Sequence, residues 1–381
     1  MKKHLTLYLL ALLTLTVTSC APKTKPAASI DEIRPKLDKV LADKMKEFGI
    51  PATIVGIWVP GKGEYVVARG MADLKTGRAA DLKDKFRIAC LTKAFTSTVI
   101  LQLVDEKKFK LADTVNKFNL GIAVPNGDKI TVKQLLSHTS GLFNFTADPK
   151  FWETFKANPL KKLTSKELLA ISFSHPVDFA PGQDYRYNNS DYEVLKLIIE
   201  KVTGNRTEKE ITKRIINKLG LKNTSYPFTD DPKVPTPHLN GYLSMSSNST
   251  TNLNDLSDFT EYAPFAEGMI SNLADLKIWA KAFAEGKLIS PALQKERLKE
   301  LVPPNKPQAG MGFLYFNGLI GRSGEIPGYN SAMYYEPQSG LTVVATVNRY
   351  PAKTEGAVDQ VWIALVETLI KDGLLTLGKG K

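Results

Sequence analysis

The two ends of the chain carry matching material, and this constrains the fold more than any other feature of its 381 residues. Near the start, Ile33, Leu37, Val40, Leu41, Met45 and Phe48 recur at helical spacing, with Asp31 ahead of them and Gly49 behind, so residues 31 to 48 read as an amphipathic helix. The segments "ATIVGIWV" and "EYVVARG", joined by "PGKG", then read as a β-hairpin. Near the finish, "SAMYYEPQSGLTVVATVN" reads as two strands about a Pro-Gln-Ser-Gly turn. The helix that follows carries Val358, Val361, Trp362, Leu365, Leu369 and Ile370 on one face. Apolar stripes must be buried, and the simplest packing lays both terminal helices on one mixed sheet built from the two ends of the chain.

From about residue 94 to 300 the texture changes to helical segments broken by Pro, Gly and Asn-rich loops, among them "AFTSTVILQLVDEKK", "TVKQLLSHTSG", "SKELLAISFSH", "DYEVLKLIIEKVTG" and "ADLKIWAKAFAEG". They share no period, so this is a helix-rich insertion and not a repeat array. The expected division is a sheet domain from residues 31–93 and 300–381 and a helix-rich domain from residues 94–299, with any site at their interface.

Ahead of this body, "MKKHLTLYLLALLTLTVTS" has two lysines, an apolar run and small residues, the layout of a secretory signal over residues 1–19. "VTSC" resembles the bacterial lipobox, which makes Cys20 the expected lipidation site and residues 20–30 a tether. The expectation is an exported lipoprotein held at the cell envelope by a membrane anchor. The chain has only two cysteines, so with Cys20 lipidated an intrachain disulfide is excluded and Cys90 is a lone thiol.

A net charge of +12 is scattered among acids without long like-charge blocks, and no nucleic-acid signature accompanies it. The histidines at 4, 138, 175 and 238 lack zinc spacing, and "GKGEYV" lacks the rest of a phosphate loop. No metal or cofactor is expected.

Chemistry gathers around "FRIACLTKAF", residues 86 to 95. A cysteine in the first turn of a helix gains from the partial positive charge there, and Lys93 lies one turn on along the same face; both favour the nucleophilic thiolate. Taken alone, the pair reads equally well as a buried small residue beside a surface cation.

The wider pattern decides between these. "FRIACLTKAFTSTVILQLVDEKK", "ITVKQLLSHTSGL", "PGQDYRYNNSDYEVLKLIIEKVTG", "HLNGYL", "EGMISNLADLKIWAKAF" and "GRSGEIPGYNSAMYYEPQSGLTVVATVN" occur in that order. Together, from about residue 31 to the C-terminus, they resemble the serine hydrolases of the β-lactamase and penicillin-binding protein superfamily. The branch resembled is that of class C β-lactamases, D-alanyl-D-alanine carboxypeptidases and related esterases. The resemblance implies an α/β fold of the α+β type, with a mixed, mainly antiparallel sheet flanked by N- and C-terminal helices and a large helix-rich insertion.

It also implies roles, carried by three motifs. The first falls on Cys90 as nucleophile and Lys93 as its proton partner. The second falls on Tyr187, relaying a proton to the leaving group, and Asn189, orienting the acyl amide. The third, which the family sets on an edge strand, falls on Arg322, Ser323 and Gly324. Arg322 and Ser323 would hold a substrate carboxylate, and the amides of Cys90 and Glu325 would stabilise the oxyanion. His138 is expected to be structural and away from the nucleophile, and Tyr262 and Phe265 to line the groove. Trp152, Trp279 and Trp362 are expected in the core or groove.

Three positions depart from the family: Cys90 where it has Ser, Asn188 where it has Ser, and Arg322 where it has Lys or His. Three readings of Cys90 stand open: a natural thiol nucleophile, a replacement meant to trap an acyl-enzyme, or a degenerate site on a binding protein. The expected activity is that of an envelope hydrolase or acyltransferase acting through an acyl-enzyme on residue 90, on peptidoglycan stem peptides, β-lactams or esters. The alternatives are an esterase of the same fold and a catalytically impaired cell-wall-binding lipoprotein.

Overall fold

The structure is a computed structural model that describes residues 29–158, 161, 163–227, 233–244, 256–258, 260, 268–299, 309–350 and 356–377. The leader, Cys20, nearly all of the tether, Tyr262 and Phe265 lie outside the described residues. No helix among the described residues is long and apolar enough to cross a membrane.

Eight strands form one sheet in the order Arg78–Ala79, Gly63–Asp73, Ala52–Val59, Thr342–Val347, Tyr329–Tyr335, Leu319–Ile326, Phe313–Phe316 and Ala309–Gly310. The two ends of the chain meet in its middle, where Thr53 faces Val347 and Trp58 faces Thr342. The expected mixed sheet is corrected in one respect: every pairing in these eight strands is antiparallel. Parallel contacts lie elsewhere, between Arg349–Tyr350 and Tyr242–Leu243 and at the isolated bridge between Lys85 and His238.

Alternation along each strand divides the core in two. Val55, Ile57, Ala332, Val343 and Ala345 face the terminal helices Ile30–Phe48 and Ala357–Lys371. Those helices contribute Leu37, Leu41, Val361, Trp362 and Leu365, each worth roughly 1.5–3 kcal/mol when fully buried. Ile54, Met333 and Val344 face the other way, onto Leu276, Trp279 and Phe283 of the helix Leu273–Ala284. The first helix ends at Gly49, whose φ of +60° closes the last turn as only glycine does freely. Ile370 departs from its expected place on the buried face: it is 40% exposed, because the step of about 100° from Leu369 carries it off the stripe.

The helices that matter for the site are Thr92–Asp105 and Asn189–Thr203. The first is buried along ten consecutive residues, from Thr92 to Leu101, and packs against the second through Val99, Leu195 and Ile199 among others in one continuous core. Asn188 caps the second helix by accepting the Ser190 N–H, and Gly204 ends it. The strand Leu319–Ile326 is not at the edge of the sheet, but its partner Phe313–Phe316 pairs only as far as Gly321. From Arg322 onward the strand therefore has a locally open side, and the turn bearing Cys90 lies against it.

Candidate active site

Cys90 sits in a tight helical turn, Ala89–Leu91, that runs directly into the helix Thr92–Asp105. Ala89, just before it, has φ of +50°, a left-handed conformation that costs a non-glycine residue energy and concentrates at functional sites. The strain turns the cysteine toward the open side of the strand. The contact there is so close that a Cβ on Gly324 would stand 2.3 Å from Cys90 Cβ, 2.6 Å from its backbone N and 2.8 Å from Sγ. Gly324 is therefore fixed by approach and not by backbone conformation.

Three polar side chains, Tyr187, Lys93 and Arg322, act on the sulfur. Tyr187 Oη donates to Cys90 Sγ at 3.0 Å. The Arg322 guanidinium lies 5.4 Å from the Tyr187 ring and hydrogen-bonds its side chain. Lys93, 2% exposed, donates from Nζ to Asn189 Oδ1 at 2.7 Å and lies 5.0 Å from the Tyr187 ring and 5.5 Å from that of Tyr192. Burial pulls Lys93 down to about 7, with Arg322 pushing the same way and Cys90, Glu193 and Asp191 opposing. A lysine poised there exists in both protonation states at neutral pH and can take a proton from the thiol. Tyr187 is held well above its ordinary range, chiefly by burial and by Cys90, so it keeps its proton and acts as a donor.

Asn189 holds Lys93 in place. Its Oδ1 takes the lysine, its Nδ2 donates to Thr146 Oγ1 at 3.2 Å, and its backbone N–H donates to Asn144 Oδ1. Thr146 and Asn144 escaped the sequence reading, since they belong to no motif. Asn188, at the variant position of the second motif, spends its side chain on the cap and on Leu142 O, away from the sulfur.

The third motif splits across the sheet. Arg322 and Gly324 face the nucleophile, whereas Ser323 points to the opposite side, where Tyr334 donates to its Oγ at 3.5 Å and Asp359 of the last helix hydrogen-bonds it. The expected Arg322–Ser323 grip on a substrate carboxylate is thus not formed, because neighbouring residues of a strand point to opposite faces. Glu325 shares the far face, its carboxylate accepting from Asn330 Nδ2 and from the Gly356 N–H.

His138 is no triad member, but it is nearer the site than expected. Its ring centroid lies 4.8 Å from that of Tyr187, and Nδ1 accepts the Asn188 N–H at 3.2 Å. Burial, together with Arg322 and Lys93, holds it well below its ordinary pKa, so it is neutral and braces the second motif. Trp279 and Trp362 are core residues, and Trp152 is half-buried, donating to Thr146 O.

A cysteine on a strained turn, a buried lysine one helical turn on, a tyrosine that donates to the sulfur and a strand whose glycine lies against it form an arrangement with the groups that acyl transfer requires. The match is to the Beta-lactamase family model over residues 37–368, and the chain belongs to that family. Among curated proteins it is 28% identical over 329 residues to "Protein flp" of Staphylococcus aureus (strain N315), covering 82% of this chain and 63% of that protein. It thus spans less than two thirds of that relative. It is also 28% identical over 326 residues to "Putative penicillin-binding protein PbpX" of Bacillus subtilis (strain 168), covering 84% of this chain and 77% of that one. Among solved structures it resembles a D-stereospecific amidohydrolase from Streptomyces sp., with a TM-score of 0.72, 28% identity and coverage of 84% of this chain and 97% of that one.

Proposed function

We propose that this protein is an acyl-enzyme-forming amidohydrolase or esterase whose nucleophile is Cys90, acting on amides and esters of D-configured acyl groups. Its substrates include peptidoglycan stem peptides, with β-lactams as reactive mimics. The observation that carries this reading is the 3.0 Å hydrogen bond from Tyr187 Oη to Cys90 Sγ, beside a lysine brought to about 7.

The cycle balances with these residues alone. Lys93 takes the thiol proton, sulfur attacks the acyl carbon, and a thioester forms as the bond to the amine or alcohol breaks. Tyr187 delivers the leaving group's proton and recovers one from Lys93. Water or an amine then attacks the thioester and the thiol is restored. For the oxyanion, the Cys90 amide lies at Gly324. The Glu325 amide is the second donor: counting back from the closing pair Ile326–Tyr329, pairing alternates so that Gly324 and Ser331 exchange hydrogen bonds and the Glu325 N–H faces the open side.

The D-configuration is suggested by the Streptomyces amidohydrolase, and the cell-wall setting by the penicillin-binding relative. The leader and Cys20 would place the site at the envelope on a lipid anchor. The test is turnover of a p-nitrophenyl ester and of an N-acyl-D-alanine amide by wild type, Cys90→Ala and Lys93→Met. Loss of at least a hundredfold in both variants is expected; a rate unchanged by Cys90→Ala would remove the proposal.

A further inference from the structure

We propose that Arg322 acts on Tyr187 and not on the substrate, so that the site takes acyl donors that lack a free carboxylate. This rests on the acyl-enzyme reading above and narrows its substrate class.

A cation that anchors a substrate carboxylate must present its fork to the cleft. Arg322 is 2% exposed, with its guanidinium lying 5.4 Å from the Tyr187 ring and hydrogen-bonded to its side chain. Its charge is stabilised by what surrounds it: burial alone would lower its pKa, but Tyr187, Tyr192, Cys90 and Tyr185 outweigh that and raise it. The polar partner that would share the carboxylate, Ser323, is on the other face of the strand with Tyr334 and Asp359. Neither polar side chain of the third motif is offered to a substrate.

The chain of contacts runs instead from Arg322 through Tyr187 Oη to Cys90 Sγ. A planar guanidinium fixes the phenol both over its ring and at its hydroxyl, which a lysine ammonium does less well. Arg322 is thus a positioning residue for the proton donor.

It also bears on Lys93. The charged and titratable groups facing that lysine are Cys90 in the preceding turn, Arg322 on the strand, Tyr187 from the second-motif loop, and Tyr192, Asp191 and Glu193 from the helix Asn189–Thr203, with His138 behind Tyr187. Of these groups, Arg322 is the one whose charge favours the neutral amine. Removing it leaves Lys93 protonated to higher pH.

The test compares N-acetyl-D-alanyl-D-alanine with its C-terminal amide on the wild-type protein, then on Arg322→Met and Arg322→Lys. Wild type is expected to process the amide at least as well as the free acid. Arg322→Met should lower kcat ten- to a hundredfold for both donors, leave KM within threefold, and move the acidic limb of the pH–rate profile to higher pH. Arg322→Lys should recover the pH limb but only part of kcat. A tenfold or greater wild-type preference for the free acid overturns the proposal without needing any variant to fold, and a preference erased through KM in Arg322→Met does the same. Absence of a Cys90 thioester from either donor, read by mass, removes the acyl-enzyme reading and this inference together; a thioester formed fastest from the free acid removes only the inference.

Discussion

At the scale of single residues the site is a problem of fractions of an ångström. Gly324 and Cys90 are so close that one methyl group cannot be added between them. Gly324→Ala is expected to lower stability by about 1–3 kcal/mol through overpacking and to cut acylation by on the order of a hundredfold, because it displaces the nucleophile. Thermal melting and acylation rate measured on one preparation check both; an active Gly324→Ala protein would show that the contact is loose. Lys93 carries a second prediction. Its folded-state pKa of about 7 lies below the ordinary 10.5, so between those values the unfolded chain binds more protons at this site than the folded one. The stability it contributes therefore rises with pH across that window and is withdrawn as pH falls through 7. Lys93→Met should flatten this slope in denaturant titrations from pH 6 to 10, and an unaltered slope would place its origin elsewhere.

At the scale of elements, periodicity and punctuation made most of the fold legible. The terminal helices could be read because apolar residues at helical spacing have one way to be buried, and the hairpin because two strand-like runs, rich in Val and Ile or Val and Tyr, flank a Pro-Gly turn. The short strands Arg78–Ala79 and Ala309–Gly310 could not, since two residues carry no period and owe their state to a neighbour. Caps are local and so give local predictions. Thr164 accepts the Glu167 N–H while Glu167 Oε2 accepts the Thr164 N–H, a capping box that starts the helix Ser165–Phe173. That helix packs Leu168 against Phe145 and Phe151, away from the sulfur. Thr164→Ala should cost about 0.5–2 kcal/mol in a melting experiment while leaving the acylation rate unchanged. A fall in rate would show that the loop bearing Thr146 depends on this helix.

At the scale of the whole molecule, the site exists because residues far apart in sequence share a sheet whose middle joins the two chain ends. Cys90, Lys93, Tyr187 and Arg322 were legible as types in a pattern. Which face of the strand each third-motif residue occupies was not, because that depends on register. The motif's letters suggested a carboxylate grip from two adjacent residues, which alternation along a strand turns apart; which of them faces the sulfur is shown by the packing of Gly324 on Cys90 and of Ser323 on Tyr334. The supporting groups Thr146, Asn144 and Tyr192 were illegible for a related reason: they act through tertiary contacts and repeat nothing in the sequence. Leu365, buried where the last helix meets the sheet, tests how far this architecture holds the site. Leu365→Ala should destabilise by about 2–5 kcal/mol yet leave acylation per folded molecule unchanged.

The most direct test of the central claim, that Cys90 forms an acyl-enzyme, is the intact mass of the protein after reaction with a p-nitrophenyl acyl ester and, separately, with N-acetyl-D-alanyl-D-alanine amide, followed by peptide mapping. The account predicts one acyl group per chain, on the peptide containing Cys90, formed much more slowly in Tyr187→Phe and absent in Cys90→Ala. No adduct from either donor, with Cys90 still open to alkylation by iodoacetamide, would contradict it.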